Sequence, residues 1–120
     1  MDKQKILIVD DAESYRLLLS EILYFYGYDI YCAKDGVEAL HLIKQEGIKL
    51  VITDILMPEM DGNELVRNIK KINPKTKVIG MTGGGELISA DSAEKLSRMY
   101  DFDEFFQKPI THEDLISYIQ

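Results

Sequence analysis

The feature that most constrains this chain is an alternation: five short runs of β-type residues, each followed by a stretch of helical period. Residues 5–9, 29–33, 49–53, 77–81 and 103–107 read as strands. After the first of them, Tyr15, Leu18, Leu19, Ile22 and Tyr26 repeat at i, i+3, i+4, i+7 and i+11, an amphipathic helix closed by Gly27. Further helices are expected at 37–46, stopped by Gly47, at 64–72, stopped by Asn73-Pro74, around 90–100, and after Pro109. In the last, Thr111 with Asp114 three residues on resembles a capping box. Strands that alternate with helices imply a doubly wound parallel sheet, because parallel neighbours need crossover connections that cover both faces. The unbroken apolar runs Ile6-Leu7-Ile8-Val9 and Leu50-Val51-Ile52 fit strands buried on both sides. Folds of this class bind ligands at the carboxyl ends of their strands, so the chemistry is expected there.

At 120 residues, 46% of them hydrophobic, the chain fits one domain spanning 1–120 with a core that needs no metal or disulfide staple. A net charge of −7 speaks against a direct nucleic-acid face and for docking partners with a basic rim. No apolar run is long enough for a bilayer, and the first residues lead into a strand without the pattern of a signal peptide. The single cysteine, Cys32, reads as a small apolar strand residue and suits a reducing cytoplasm. His41 and His112 are expected on helix surfaces.

Asp10 and Asp11 follow the first strand and Asp54 follows the third, so three carboxylates converge at one edge if those strands are neighbours. Carboxylates so close repel, and an oxygen-seeking divalent ion is the usual remedy; Mg²⁺ suits few protein ligands, several waters and a phosphate oxygen. Asp pairs also cap helices, so the pair alone is weak. Thr82, ending the fourth strand ahead of Gly83-Gly84-Gly85, offers a hydroxyl and backbone N–H groups. Lys108, after the fifth strand and before Pro109, offers a cation. Those are the groups that bind phosphoryl oxygens.

Read together, Ile6-Leu7-Ile8-Val9-Asp10-Asp11, Thr53-Asp54-Ile55-Leu56-Met57-Pro58-Glu59-Met60-Asp61-Gly62, Thr82 and Phe105-Phe106-Gln107-Lys108-Pro109 resemble the receiver domain of two-component response regulators over nearly the whole chain. The resemblance implies a flavodoxin-like sheet of strand order 2-1-3-4-5 with five helices. It also implies a signalling switch, not an enzyme beyond its own phosphorylation and dephosphorylation. Asp54 would accept a phosphoryl group from a sensor histidine kinase or a histidine phosphotransfer protein. Asp10, Asp11, Asp54 and the backbone carbonyl of Leu56 would hold Mg²⁺, Lys108 would pair with the phosphoryl oxygens, and Thr82 and Phe105 would switch the face around the fourth helix, fifth strand and fifth helix toward a downstream protein target. Pro109 matches a cis-proline. A monomer or a phosphorylation-dependent dimer is implied, in the cytoplasm and without membrane contact.

The chain departs from the family's pattern at the three glycines after Thr82 and at Asp101-Phe102, where Gly-Ala is common. Leu56 and Gly84 occupy positions that tune dephosphorylation, and neither can orient a water, so a long phosphoryl lifetime is expected. The alternative is a phosphorylation-independent interaction module on the same fold. A haloacid-dehalogenase-type phosphatase would need an acid where Leu56 stands, and a nucleotide binder would need a glycine-rich loop after the first strand. Residues 1–120 carry no DNA-binding or catalytic output segment, so the chain reads as either a stand-alone receiver or one domain of a longer protein.

Overall fold

Ile6, Leu7, Ile8 and Val9 are wholly shielded from solvent, and the strand that they form, β1 (Lys5–Val9), lies inside the sheet between two neighbours. The structure is a computed structural model and describes residues 3–55, 60, 62–82 and 101–120. The chain continues through α1 (Glu13–Phe25), β2 (Asp29–Ala33), α2 (Gly36–Glu46), β3 (Leu50–Asp54), α3 (Gly62–Ile72), β4 (Lys77–Thr82), β5 (Glu104–Gln107) and α4 (His112–Ile119). All neighbouring strands pair in parallel in the order β2-β1-β3-β4-β5. The expected flavodoxin-like sheet is therefore present, with four helices among the described residues. The helix expected around residues 90–100 lies outside them. None of the described helices is long and apolar enough to cross a membrane.

Side chains alternate across each strand, and the alternation divides the interior into two cores. Leu7, Val9, Val51 and Val78 point toward α2 and α3, joining Ala39, Ile43, Leu65, Val66, Ile69, Phe102 and Phe105. Ile6, Ile8, Ile52, Ile79 and Met81 point the other way, joining Leu19, Ile22 and Leu23 of α1, Phe106, and Leu115 and Ile116 of α4. On the first face Phe102 meets Phe105 edge to face, ring centroids 5.2 Å apart, in the space that Gly80 leaves by having no side chain: a Cβ there would approach both rings to 3.0 Å. The bulk of Phe102 is thus matched by the smallness of Gly80 across β4 and β5.

Helix ends follow local chemistry. Asp35 caps α2 by accepting from the Glu38 amide at 2.9 Å, and Gly47 ends it in the left-handed region at φ +64°. Thr111 caps α4 by accepting from the Asp114 amide at 3.1 Å, as its position before that helix predicts. The phase of α1 needs correction: Leu19, Ile22 and Leu23 are buried, but Leu18 and Tyr26 stand 47% and 45% exposed. Apolar runs at 17–19 and 22–26 leave two stripes open to choice by period alone, and the sheet accepts the one through Leu19 and Leu23.

The Tyr118 hydroxyl of α4 donates to the Phe105 carbonyl at 3.2 Å, tying α4 to β5. Burial, reinforced by Glu104 and Asp114, raises its pKa above the ordinary tyrosine value of 10.0. A folded value above the unfolded one gives stability that is complete below about pH 10 and is lost as pH rises through the folded value. Tyr118→Phe should therefore cost about 1 kcal/mol near pH 8 for the lost hydrogen bond, and its deficit should shrink above about pH 10, where the parent weakens and phenylalanine does not titrate. Urea unfolding at the two pH values reads both arms; a deficit that grows with pH contradicts the sign.

Candidate acidic site at the carboxyl edge of the sheet

The register brings the acids together. Val9 pairs with Thr53, so Asp10 and Asp54 leave β1 and β3 side by side, and Asp54 itself still pairs with Met81 of β4. Asp10 is fully buried, Asp54 is 8% exposed, and Asp11 faces solvent. One carboxylate oxygen from each lies within 4.8 Å of the other two. Asp10 is held from several directions: its Oδ1 accepts from the Ala12 amide at 2.9 Å, its amide donates to Ala33 at 3.1 Å, and its carbonyl accepts from Arg16 Nη1 at 2.6 Å. Oxygen donors of formal negative charge, two buried and one open to water, make a set that fits a small hard divalent cation keeping some of its waters.

The counter-charge comes from the residue that follows β5. Lys108 Nζ donates to Asp10 Oδ2 at 2.5 Å and lies 3.3 Å from Asp54 Oδ2, so one ammonium bridges two of the three carboxylates. Burial disfavours the charged lysine, but the hydrogen bond to Asp10 and the charges of Asp54 and Asp10 outweigh it and raise its pKa above the ordinary value. The ammonium also sits 4.4 Å from the centre of the Tyr15 ring. Main-chain pairing fixes the position of the lysine, since its amide donates to the Thr82 carbonyl at 3.0 Å, and the Lys108–Pro109 peptide is cis. Thr82 ends β4 almost fully buried, and its hydroxyl has no hydrogen-bond partner among the described residues. A buried hydroxyl without a partner, at the end of the strand that pairs with the one before Lys108, is chemically able to donate to a ligand oxygen.

A family profile described as the response regulator receiver domain matches residues 6–120. The chain is 37% identical to the sporulation initiation phosphotransferase F of Bacillus subtilis over 88% of its own length and 86% of that protein's. It is 42% identical over 71% of its length to the sensor protein EvgS of Escherichia coli, of which it spans 7%. Among solved structures, a response regulator receiver domain protein from Clostridium thermocellum superposes with a TM-score of 0.84 at 33% identity, covering 97% of this chain and 90% of that one. The chemotaxis protein CheY4 of Vibrio cholerae gives 0.88 at 26% identity, with 99% and 98% covered. The chain belongs to the response regulator receiver family.

In this receiver, Asp10, Asp11, Asp54, Thr82 and Lys108 all stand at the carboxyl edge where the sequence reading put them. Leu56, Gly84 and the whole Gly83-Gly84-Gly85 segment lie outside the described residues. Phe105 is 8% exposed and packed in the core on the α2 and α3 side. His41 and His112 are on helix surfaces, as expected. Cys32 lies in a strand, as expected, and is exposed, with its sulfur 3.1 Å from the Ser20 hydroxyl, on the edge strand β2. Two residues of the receiver's site were missed. Tyr15 was taken for an ordinary member of the buried helix stripe, and Arg16 was passed over. Their place one turn after Asp10-Asp11, at the start of the helix that leaves the site, was the available signal.

Proposed function

We propose that this receiver is a phosphorylation switch in which Asp54 is the acceptor. The observation that supports it most is the Lys108 ammonium bridging Asp10 and Asp54 beside a third carboxylate, an arrangement in which charge is poised but not balanced. An Asp54 oxygen attacks the phosphorus of a phosphohistidine on a sensor histidine kinase or histidine phosphotransfer protein. The P–N bond breaks, its electron pair returns to the imidazole nitrogen, and an acyl phosphate forms on Asp54. Lys108 shifts its hydrogen bonding to the phosphoryl oxygens, and the Thr82 hydroxyl donates to another of them. Asp10, Asp11 and Asp54, with the Leu56 carbonyl, are the groups that would hold Mg²⁺. The chemistry a divalent ion supplies there is neutralisation of the charge on the phosphoryl oxygens.

The new phosphoryl charge draws Thr82 inward and biases the surface around Phe105 and β5, which a downstream protein target reads. The names of the relatives, a phosphotransferase and a sensor protein, support partners of the phosphorelay kind. On this reading residues 1–120 act as one receiver domain in the cytoplasm, monomeric or dimerising on phosphorylation, and the residues at the Leu56 and Gly84 positions lengthen the phosphoryl lifetime.

Incubation with acetyl phosphate and Mg²⁺, followed by intact mass measurement, tests this directly. A gain of one phosphoryl group is expected that EDTA prevents and that Asp54→Asn abolishes. No gain, where a control receiver is modified, would instead favour a phosphorylation-independent interaction module.

A further inference from the structure

Among the described residues, the Lys108 ammonium meets Asp10, Asp54 and the face of the Tyr15 ring, whose centre is 4.4 Å away. In the phosphoryl-accepting reaction the first two change. Asp54 exchanges its carboxylate for an acyl phosphate, and Asp10 is one of the groups that would hold a divalent cation. The ring alone keeps its position and its electrostatic character throughout. We infer that Tyr15 is a positioning residue for this reaction, a fixed aromatic seat that keeps the Lys108 ammonium at the acceptor while its anionic partners are exchanged. The inference rests on Asp54 being the acceptor.

Several features favour a seat over simple filling of space. Tyr15 stands at the start of α1, half-buried, with its ring packed against the core on the α1 and α4 side, so it cannot swing aside. Its hydroxyl is buried and makes no hydrogen bond among the described residues. The backbone at Ile110 lies near enough to favour the phenolate, though short of good hydrogen-bond geometry, which places the ring between the lysine and the segment that follows Pro109. The ring face already meets the ammonium while the hydroxyl does not, so the contact the residue offers Lys108 is its π face. The Lys108 side chain is only 15% exposed, and a cation drawn out of water onto an aromatic face is held more firmly than one at the surface. Leucine would fill much of the same space but present no such face. Phenylalanine would keep the face and remove the orphan hydroxyl.

Those two substitutions separate the possibilities. In NMR spectra of protein labelled at lysine, the Lys108 methylene and ammonium signals should be displaced by the ring current in the parent and in Tyr15→Phe, and should return toward those of solvated lysines in Tyr15→Leu. With Mg²⁺ and saturating acetyl phosphate, Tyr15→Leu should accept phosphate about fivefold to tenfold more slowly. Its half-saturating donor concentration should change far less, and Tyr15→Phe should restore the rate to within about twofold of the parent. Unchanged Lys108 signals and an unchanged rate in Tyr15→Leu would overturn the seat while leaving the acceptor in place. A loss in Tyr15→Phe equal to that in Tyr15→Leu would overturn the ring's role in favour of the hydroxyl. No uptake by the parent protein would overturn the acceptor, and this inference with it.

Discussion

Lys108→Met should lower the stability of the metal-free protein by about 3 kcal/mol, the usual scale for stripping one partner from a buried ion pair. The side chains involved leave little room for water to compensate: Asp10 is fully buried, Asp54 is 11% exposed and Lys108 15%. Without the ammonium, three carboxylates with ligand atoms inside 4.8 Å face one another with no cation between them. The same reasoning gives Asp54→Asn the opposite sign, because it removes one of the crowded charges and leaves Lys108 its shorter bond to Asp10. Urea unfolding in EDTA should therefore place the two variants on either side of the parent. Added Mg²⁺ should recover more stability in Lys108→Met than in the parent, since a divalent ion takes over the missing counter-charge. A Lys108→Met protein as stable as the parent in EDTA would mean that the acids are already well solvated, and the account of the site's electrostatics would fall.

Gly62→Ala comes next in size, at about 2–3 kcal/mol, the cost of forcing a methyl group into a packed space that cannot yield. Its Cβ would lie 2.7 Å from both the Asp54 carbonyl oxygen and the Ile55 Cα, and these are main-chain atoms fixed by the sheet. The Gly62 amide also donates to the Ile55 carbonyl at 2.6 Å, so the start of α3 is drawn against the end of β3. The penalty falls on Asp54, the acceptor proposed above, and on that proposal phosphoryl uptake should drop along with stability. Gly36→Ala is the control. There the nearest atoms to the Cβ all belong to the Met60 side chain, the sulfur at 2.6 Å and the Cβ and Cγ at 3.0 and 3.1 Å, and a side chain yields more readily than main chain. Gly36 opens α2 directly after its cap, where helix propensity counts for little, so Gly36→Ala should cost less than Gly62→Ala. Equal losses in the two variants would show that Gly62 has no special place beneath Asp54.

The fold was legible because its signals were redundant. Ile6 to Val9 and Leu50 to Ile52 could only be strands buried on both faces, and their interruption by Asp10 and Asp54 marked the edge where the acids gather. The exact ends were less so. Asp54 was read as lying past its strand, yet it remains paired with Met81, since a carboxylate can close a strand without breaking its ladder. Asp103 was read as the first residue of the fifth strand, but its carboxylate accepts from the Val78 amide at 2.7 Å and from Lys70 at 2.8 Å, and β5 begins one residue later. Side chains that serve the backbone of another strand leave no periodic trace. Tyr15 was hidden for a related reason: an aromatic residue on the inward stripe of a helix looks alike whether it meets leucine or a lysine ammonium.

Phe105 and Phe106 are consecutive on β5, and they enter different cores, the first that of α2 and α3, the second that of α1 and α4. The outermost strand is thus pinned like an axle with one spoke in each half of the molecule. Any twist of β5 that frees space in one compartment takes space from the other, so the two halves exchange volume instead of responding separately. Lys108 is the residue next after this axle, and a change in what its ammonium grips is delivered to both compartments at once.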